Sequence, residues 1–111
     1  MNKMDYLNAM NALEITLDEI AKNRAIGQAQ SIPLLNQYYD NLLTYIKFIN
    51  GIPNNERLTF ENLKIKPFNI EERLRYIHER KHHYMGYQQM KTVKSELIKM
   101  NAAYKAKHSS L

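Results

Sequence analysis

The C-terminal part of the chain carries two apolar stripes that one straight helix cannot bury together. In residues 70–104 the apolar positions recur at three- and four-residue steps, the spacing of a helical face. The first stripe consists of Ile70, Leu74, Ile77 and Met85. The second consists of Met90, Val93, Leu97, Met100 and Tyr104. At ~100° per residue the two are rotated by roughly 140°. This shift favours a break or kink between His82 and Tyr87, with Gly86 as its natural place, over two halves packed on different neighbours.

Two shorter helices are predicted before this segment. Apolar residues at helical spacing predict the first from about Asp5 to Ile26. The second opens at Ser31, a favourable N-cap residue, and stops at residues 50–53, where glycine and proline block continuation. The short link at residues 27–31 predicts that the two helices pack antiparallel.

Residues 51–69 are harder to assign. The alternation over residues 58–65 allows a small hairpin, and Thr59 could instead start a short helix. Nineteen residues is long for a bare loop, so we expect the segment to be packed down. The expected anchors are Phe60, Leu63 and Phe68.

Together these patterns predict an all-α fold. It is a small three- or four-helix bundle with a long or kinked C-terminal helical segment. A length of 111 residues suits a single helical domain over 1–111.

Composition excludes several classes of protein. The chain has no cysteine, which rules out disulfides and thiolate metal sites. No apolar run approaches the ~20 residues of a membrane helix. We therefore expect a cytoplasmic protein with no membrane partner and no cofactor. The abundance of Asn, Ile, Lys and Tyr is typical of an AT-rich genome, such as a low-GC bacterium or a phage-like element.

Charge is unevenly distributed along the chain. Residues 1–50 hold four basic and five acidic residues, whereas residues 51–111 hold twelve and six. The excess favours an acidic partner for the C-terminal half, either nucleic acid or an acidic protein surface.

One stretch resembles the zincin metalloproteases, in the spacing His78-Glu79-x-x-His82. Two histidines four apart face the same way on a helix, and Glu79 would be the general base. The residues between Glu79 and His82 are usually apolar in that motif, but here they are Arg80 and Lys81. We therefore predict solvent-facing histidines on a basic helix and no metal site.

A second spacing, Arg75 followed after six residues by His82, resembles the Arg-x(4–6)-His motif of HEPN ribonucleases. Those are all-α domains of about this size whose Arg and His meet across a dimer. The resemblance implies that Arg75 stabilises phosphorane charge and His82 transfers a proton, with Tyr84 beside them. Arg73 and His78 fit the same spacing, so the pair stays open.

On a continuous helix, cations and tyrosines of the last segment fall on one face and could contact phosphates and bases. The predicted contact residues are Arg73, Arg80, Tyr84, Tyr87, Lys91 and Lys94. Our first prediction is a small non-enzymatic binding or regulatory protein that acts through protein–protein interaction. Eight tyrosines and six methionines suit such contacts, and a surplus apolar stripe would allow a homodimer. Nucleic-acid binding through the basic face is the alternative, and an HEPN-like ribonuclease is the third.

Overall fold

Four helices form the fold in the computed structural model, which describes residues 3–108. Helix α1 spans Lys3–Lys22, α2 spans Ile32–Ile49, α3 spans Ile70–Arg80 and α4 spans Tyr84–His108. That part of the chain contains no strand. The all-α prediction is confirmed, as is the long C-terminal helix. No helix within it combines the length and apolarity that crossing a bilayer requires.

Helices α1 and α2 run antiparallel, as the short link between them predicts. Tyr38 of α2 bonds to Glu14 of α1, while Phe48 at the far end of α2 packs its ring against Tyr6, with centroids 5.9 Å apart. The start of α1 therefore lies beside the end of α2, so the two helices run in opposite directions. Helices α3 and α4 are antiparallel as well. Arg73, near the start of α3, pairs with Glu96, whereas Arg80, at its end, lies against Gly86 in the first turn of α4. The result is an up-down-up-down bundle.

The core draws on every helix. Its helical members are the inward faces that the three- and four-residue spacing predicts. Fifteen buried side chains form it: Met10, Leu17, Leu35, Tyr38, Leu42, Tyr45, Ile46, Ile65, Ile70, Leu74, Ile77, Tyr87, Met90, Val93 and Leu97. Met85, which the sequence assigns to the first stripe, is instead 52% exposed because α3 ends before it.

Helices α1 and α2 end in the same motif. After α2, the Gly51 N–H donates to the Phe48 carbonyl at 3.2 Å and the Ile52 N–H donates to the Lys47 carbonyl at 2.9 Å. This is a Schellman ending, with Gly51 at φ +69°. After α1, the corresponding left-handed residue is Arg24, at φ +58°. The motif ends α1 at Lys22, four residues earlier than the spacing predicts.

The segment between α2 and α3 forms neither the hairpin nor the short helix that the sequence allows. Asn50 holds it down, because its side chain accepts from the Ile65 N–H at 2.8 Å and donates to the Ile65 carbonyl at 3.2 Å. Phe60 and Leu63 pack on the core as expected. Phe68 does not pack on the core and is 88% exposed. The turn into α3 buries Ile65 and Ile70 in its place.

The C-terminal segment breaks, as the shift between its stripes predicts, but at residues 81–83 and not at Gly86 itself. Gly86 lies in the first turn of α4, against the end of α3. A Cβ built on Gly86 would stand 1.7 Å from the carbonyl oxygen of Arg80. Glycine is therefore needed here for close backbone approach, which lets α4 fold back along α3.

Replacing Gly86 with alanine should destabilise the protein, although alanine is normally the better helix former. The methyl group would collide with backbone, which cannot yield as a side chain can. We expect a loss of about 2 kcal/mol, the typical cost of overpacking, measured by chemical denaturation. Ser95→Ala, at an exposed position of α4, is the control and should change stability by less than about 0.5 kcal/mol. If Gly86→Ala changed the free energy of unfolding as little as Ser95→Ala, the result would contradict the close approach.

Candidate functional site

A seam of polar side chains lies between α1 and α4 inside the bundle. Lys94 of α4 is only 8% exposed, and its Nζ donates to the side chains of Asn11 and Glu14. The hydroxyl of Tyr38 donates to the same Glu14 carboxylate at 2.7 Å. A buried ammonium requires such partners, since burying an unpaired charge costs several kcal/mol. The Glu14 carboxylate thus ties three helices together.

Asp18, one turn further along α1, holds the next part of the seam. Its carboxylate accepts from the Tyr87 hydroxyl at 2.7 Å and from Lys91 Nζ at 2.9 Å. The Tyr87 ring meets the Tyr38 ring edge to face, with centroids 5.7 Å apart. Burial acts to raise the pKa of Asp18, but the hydrogen bonds from Lys91 and Tyr87 outweigh it and lower that pKa.

A separate ion pair fixes α3 to α4. Arg73 binds the Glu96 carboxylate through both terminal nitrogens and also donates to the Phe68 carbonyl. The hydrogen bond from Arg73 lowers the pKa of Glu96. Every buried side-chain N or O atom in residues 3–108 has a hydrogen-bond partner.

The six predicted contact residues do not form one exposed face. Tyr87 is 0% exposed and Lys94 is buried, which corrects the expectation that both lie on a solvated surface. The physical reason is the break after Arg80, which turns this side of α4 towards the acids of α1. Arg73 and Lys91 are half-buried in ion pairs. Two of the six, Arg80 and Tyr84, remain exposed.

The residues of the zincin spacing separate. Because α3 ends at Arg80, His82 lies in the following turn and not one helical turn above His78. His82 Nε2 is 2.7 Å from Asn36 Oδ1, whereas His78 packs on the Tyr39 ring. Within the described residues no three His, Asp or Glu side chains are grouped to hold a metal ion.

The two residues of the HEPN spacing have different neighbours within the chain. Arg75 is exposed on α3, with its guanidinium 3.8 Å from the Glu71 carboxylate. His82 faces α2 through Asn36.

Exposed aromatic and sulfur side chains gather where α3 turns into α4. We name this the corner surface and define it by Tyr76, Arg80, His83, Tyr84 and Met85. Tyr84 is 51% exposed, similar to Met85. The Arg80 guanidinium lies over the Tyr76 ring, 4.5 Å from its centroid.

An open cavity of about 480 Å³ lies at the corner surface, between the last turn of α3 and the first turn of α4. Its lining residues are Tyr76, Glu79, Arg80, His83 and Met85, and the Glu79 carboxylate lies 3.5 Å from the Arg80 guanidinium. Sequence reasoning assigned Met85 to the core and gave His83 no role. A break placed at the end of α3, before His83, would have indicated both residues, because it removes Met85 from the first stripe.

Lys94→Met should destabilise the bundle by about 3 kcal/mol, because it leaves the Glu14 carboxylate in the seam without its cation. Lys91→Met should cost less than about 1 kcal/mol, since the Lys91–Asp18 pair is more exposed. Adding Glu14→Gln to Lys94→Met should recover most of the loss, because glutamine keeps an acceptor for Tyr38 without a charge. Denaturant unfolding of the parent, the two lysine variants, Glu14→Gln alone and the double variant measures these differences. Simple additivity of Lys94→Met and Glu14→Gln would contradict the coupling.

Tyr38 and Tyr87 should stay protonated until the bundle unfolds. Burial raises the pKa of both phenols well above the usual 10.0, and their bonds to Glu14 and Asp18 raise it further. Unfolded tyrosines ionise near pH 10, so the free energy of unfolding should fall as pH rises above that value. Tyrosinate absorbance and circular dichroism, followed together, should show these two groups ionising only as helix is lost. Their ionisation with the helices intact would contradict the burial argument.

The YpoC-like protein family matches residues 2–109, which is nearly the whole chain. No curated protein and no solved structure gives a match. The family description names no activity, ligand or partner. On this match, the chain belongs to the family of YpoC-like proteins.

Proposed function

We propose that this chain is a small non-enzymatic binding protein that acts as a cytoplasmic regulator and docks on an acidic protein through the corner surface. The observation that supports this most is the grouping of Tyr76, Arg80 and Met85 around an open cavity, with Tyr84 exposed next to Met85 in the chain. Tyr, Met and Arg are enriched in protein interfaces, and Tyr and Arg carry much of their binding energy.

The charge of the corner selects the kind of partner. Residues 78–87 contain Arg80 and Lys81 against one acid, Glu79, together with three histidines. Carboxylates around an apolar side chain would complement this arrangement: the apolar group enters the cavity and the acids meet Arg80 and His83.

The backbone of the corner is also held by hydrogen bonds and by a close contact. The His83 N–H donates to the Arg80 carbonyl at 2.9 Å, and the Tyr87 N–H donates to the His83 carbonyl at 3.0 Å. Gly86 then holds the first turn of α4 against the end of α3. A surface already held in one conformation loses less entropy when a partner binds.

The deciding experiment places a photo-reactive residue at Met85 in the source cells. The matched control carries the same group at Ile15, an exposed apolar position on α1. We expect one dominant cross-linked protein from position 85, and we expect that protein to be absent from the products of position 15. With that protein purified, Tyr84→Ala and Arg80→Ala should each weaken binding about tenfold or more, as central interface residues do. Arg75→Ala, exposed on the same helix, should leave the affinity unchanged.

Unchanged affinity in Tyr84→Ala and Arg80→Ala would reject the corner as the docking surface. Cross-links between two copies of the chain, with no other product, would replace the acidic partner with a homodimer.

Nucleic-acid binding is the second candidate, and the stacked Arg80–Tyr76 pair beside exposed Tyr84 favours it. It requires affinity for short DNA or RNA that falls steeply with added salt. The third, an HEPN-like ribonuclease, requires RNA cleavage that is lost in His82→Ala while the fold survives. Both can be measured with the purified chain before any partner is known.

A further inference from the structure

A second cavity, of about 400 Å³, lies where α1 ends and shares no lining residue with the cavity of the corner surface. Its volume lies in the range of small-molecule sites. The lining residues are Ala21, Lys22, Arg24, Ile26 and Tyr84. Two cations, two aliphatic side chains and one aromatic ring therefore meet in one place.

The charge of this cavity is uncompensated. Lys22 and Arg24 both line it, and no acidic residue does. Neither cation forms an ion pair within residues 3–108, in contrast to Arg73, Lys91 and Lys94. Two cationic residues in the lining of an open cavity favour an anion there.

The backbone of Arg24 supplies an independent argument. Its N–H donates to the Ala21 carbonyl at 2.9 Å, and the Ala25 N–H donates to the Ile20 carbonyl at 3.0 Å, so Arg24 is held in the left-handed position of the motif. In α2 that position is Gly51, which adopts it without strain. At the end of α1 the chain carries a long cationic side chain where glycine would fold more easily. Strain of this kind is typical of functional positions.

We propose that this cavity binds a small aromatic phosphate monoester. The dianionic phosphate pairs with Lys22 and Arg24, whose two charges balance it better than they would a single carboxylate. The ring of the ligand lies against Tyr84 and Ile26, the aromatic and aliphatic part of the lining. Tyr84 also belongs to the corner surface, but Lys22 and Arg24 do not, so substitutions at these two cations test the anion site separately from protein docking.

The test is an NMR titration of the full chain with phenyl phosphate. We expect saturable shifts confined to the amides around residues 21–26 and 84. Benzyl alcohol supplies the ring without charge, inorganic phosphate the charge without a ring, and benzoate a single charge. Each should bind more weakly than phenyl phosphate. No saturable shift with phenyl phosphate would overturn the site, and equal affinity for inorganic phosphate would overturn its aromatic part.

Arg24→Gly separates binding from folding. It relieves the left-handed strain, so the thermal midpoint should hold or rise, yet affinity for phenyl phosphate should fall at least about tenfold with the lost charged contact. Lys22→Gln should weaken binding similarly. Lys64→Gln, an exposed cation in the segment before α3, is the matched control and should bind as the parent does. Undiminished binding in Arg24→Gly would overturn the proposal.

Discussion

The close approach of Gly86 to the carbonyl oxygen of Arg80 sets the path of the chain from α3 into α4. Any side chain at position 86 would meet backbone at 1.7 Å, so with another residue the first turn of α4 could not lie where it does. Because it lies there, α4 starts four residues after α3 ends and runs back along it. The two apolar stripes can then both face one core, which a straight helix would not allow. The outer side of the turn is left with Tyr84 and Met85 in solvent.

The same turn decides what the basic residues of α4 do. Once α4 folds back, Lys91 and Lys94 meet Asp18 and Glu14 of α1. Part of the positive excess of the C-terminal half is therefore balanced by acids from the N-terminal half. The seam also gives α1 a polar register against α4, because each carboxylate finds one ammonium and one tyrosine hydroxyl. Apolar contacts alone would fix that register less closely.

What remains for binding is concentrated at one end of the bundle. There α1 ends at Lys22, α3 ends at Arg80 and α4 begins at Tyr84. Tyr84 belongs to the corner surface and also lines the cavity beside Arg24. Among the cations at this end, Lys22 and Arg24 are exposed, Lys81 lies over the Tyr39 ring and Arg80 lies 3.5 Å from Glu79.

The helices, most of their inward faces and the existence of a break could be predicted from the residues alone, because these depend on local spacing and on residues such as Gly51. It placed Leu35, Leu42, Val93 and Leu97 correctly in the core. Which neighbours the outward-facing side chains meet depends on the tertiary packing. Whether Lys94 meets water or Glu14, 80 residues away in sequence, depends on the direction α4 takes after the break. Helical periodicity gives the angle of a side chain about its own axis, but not which neighbour covers that side.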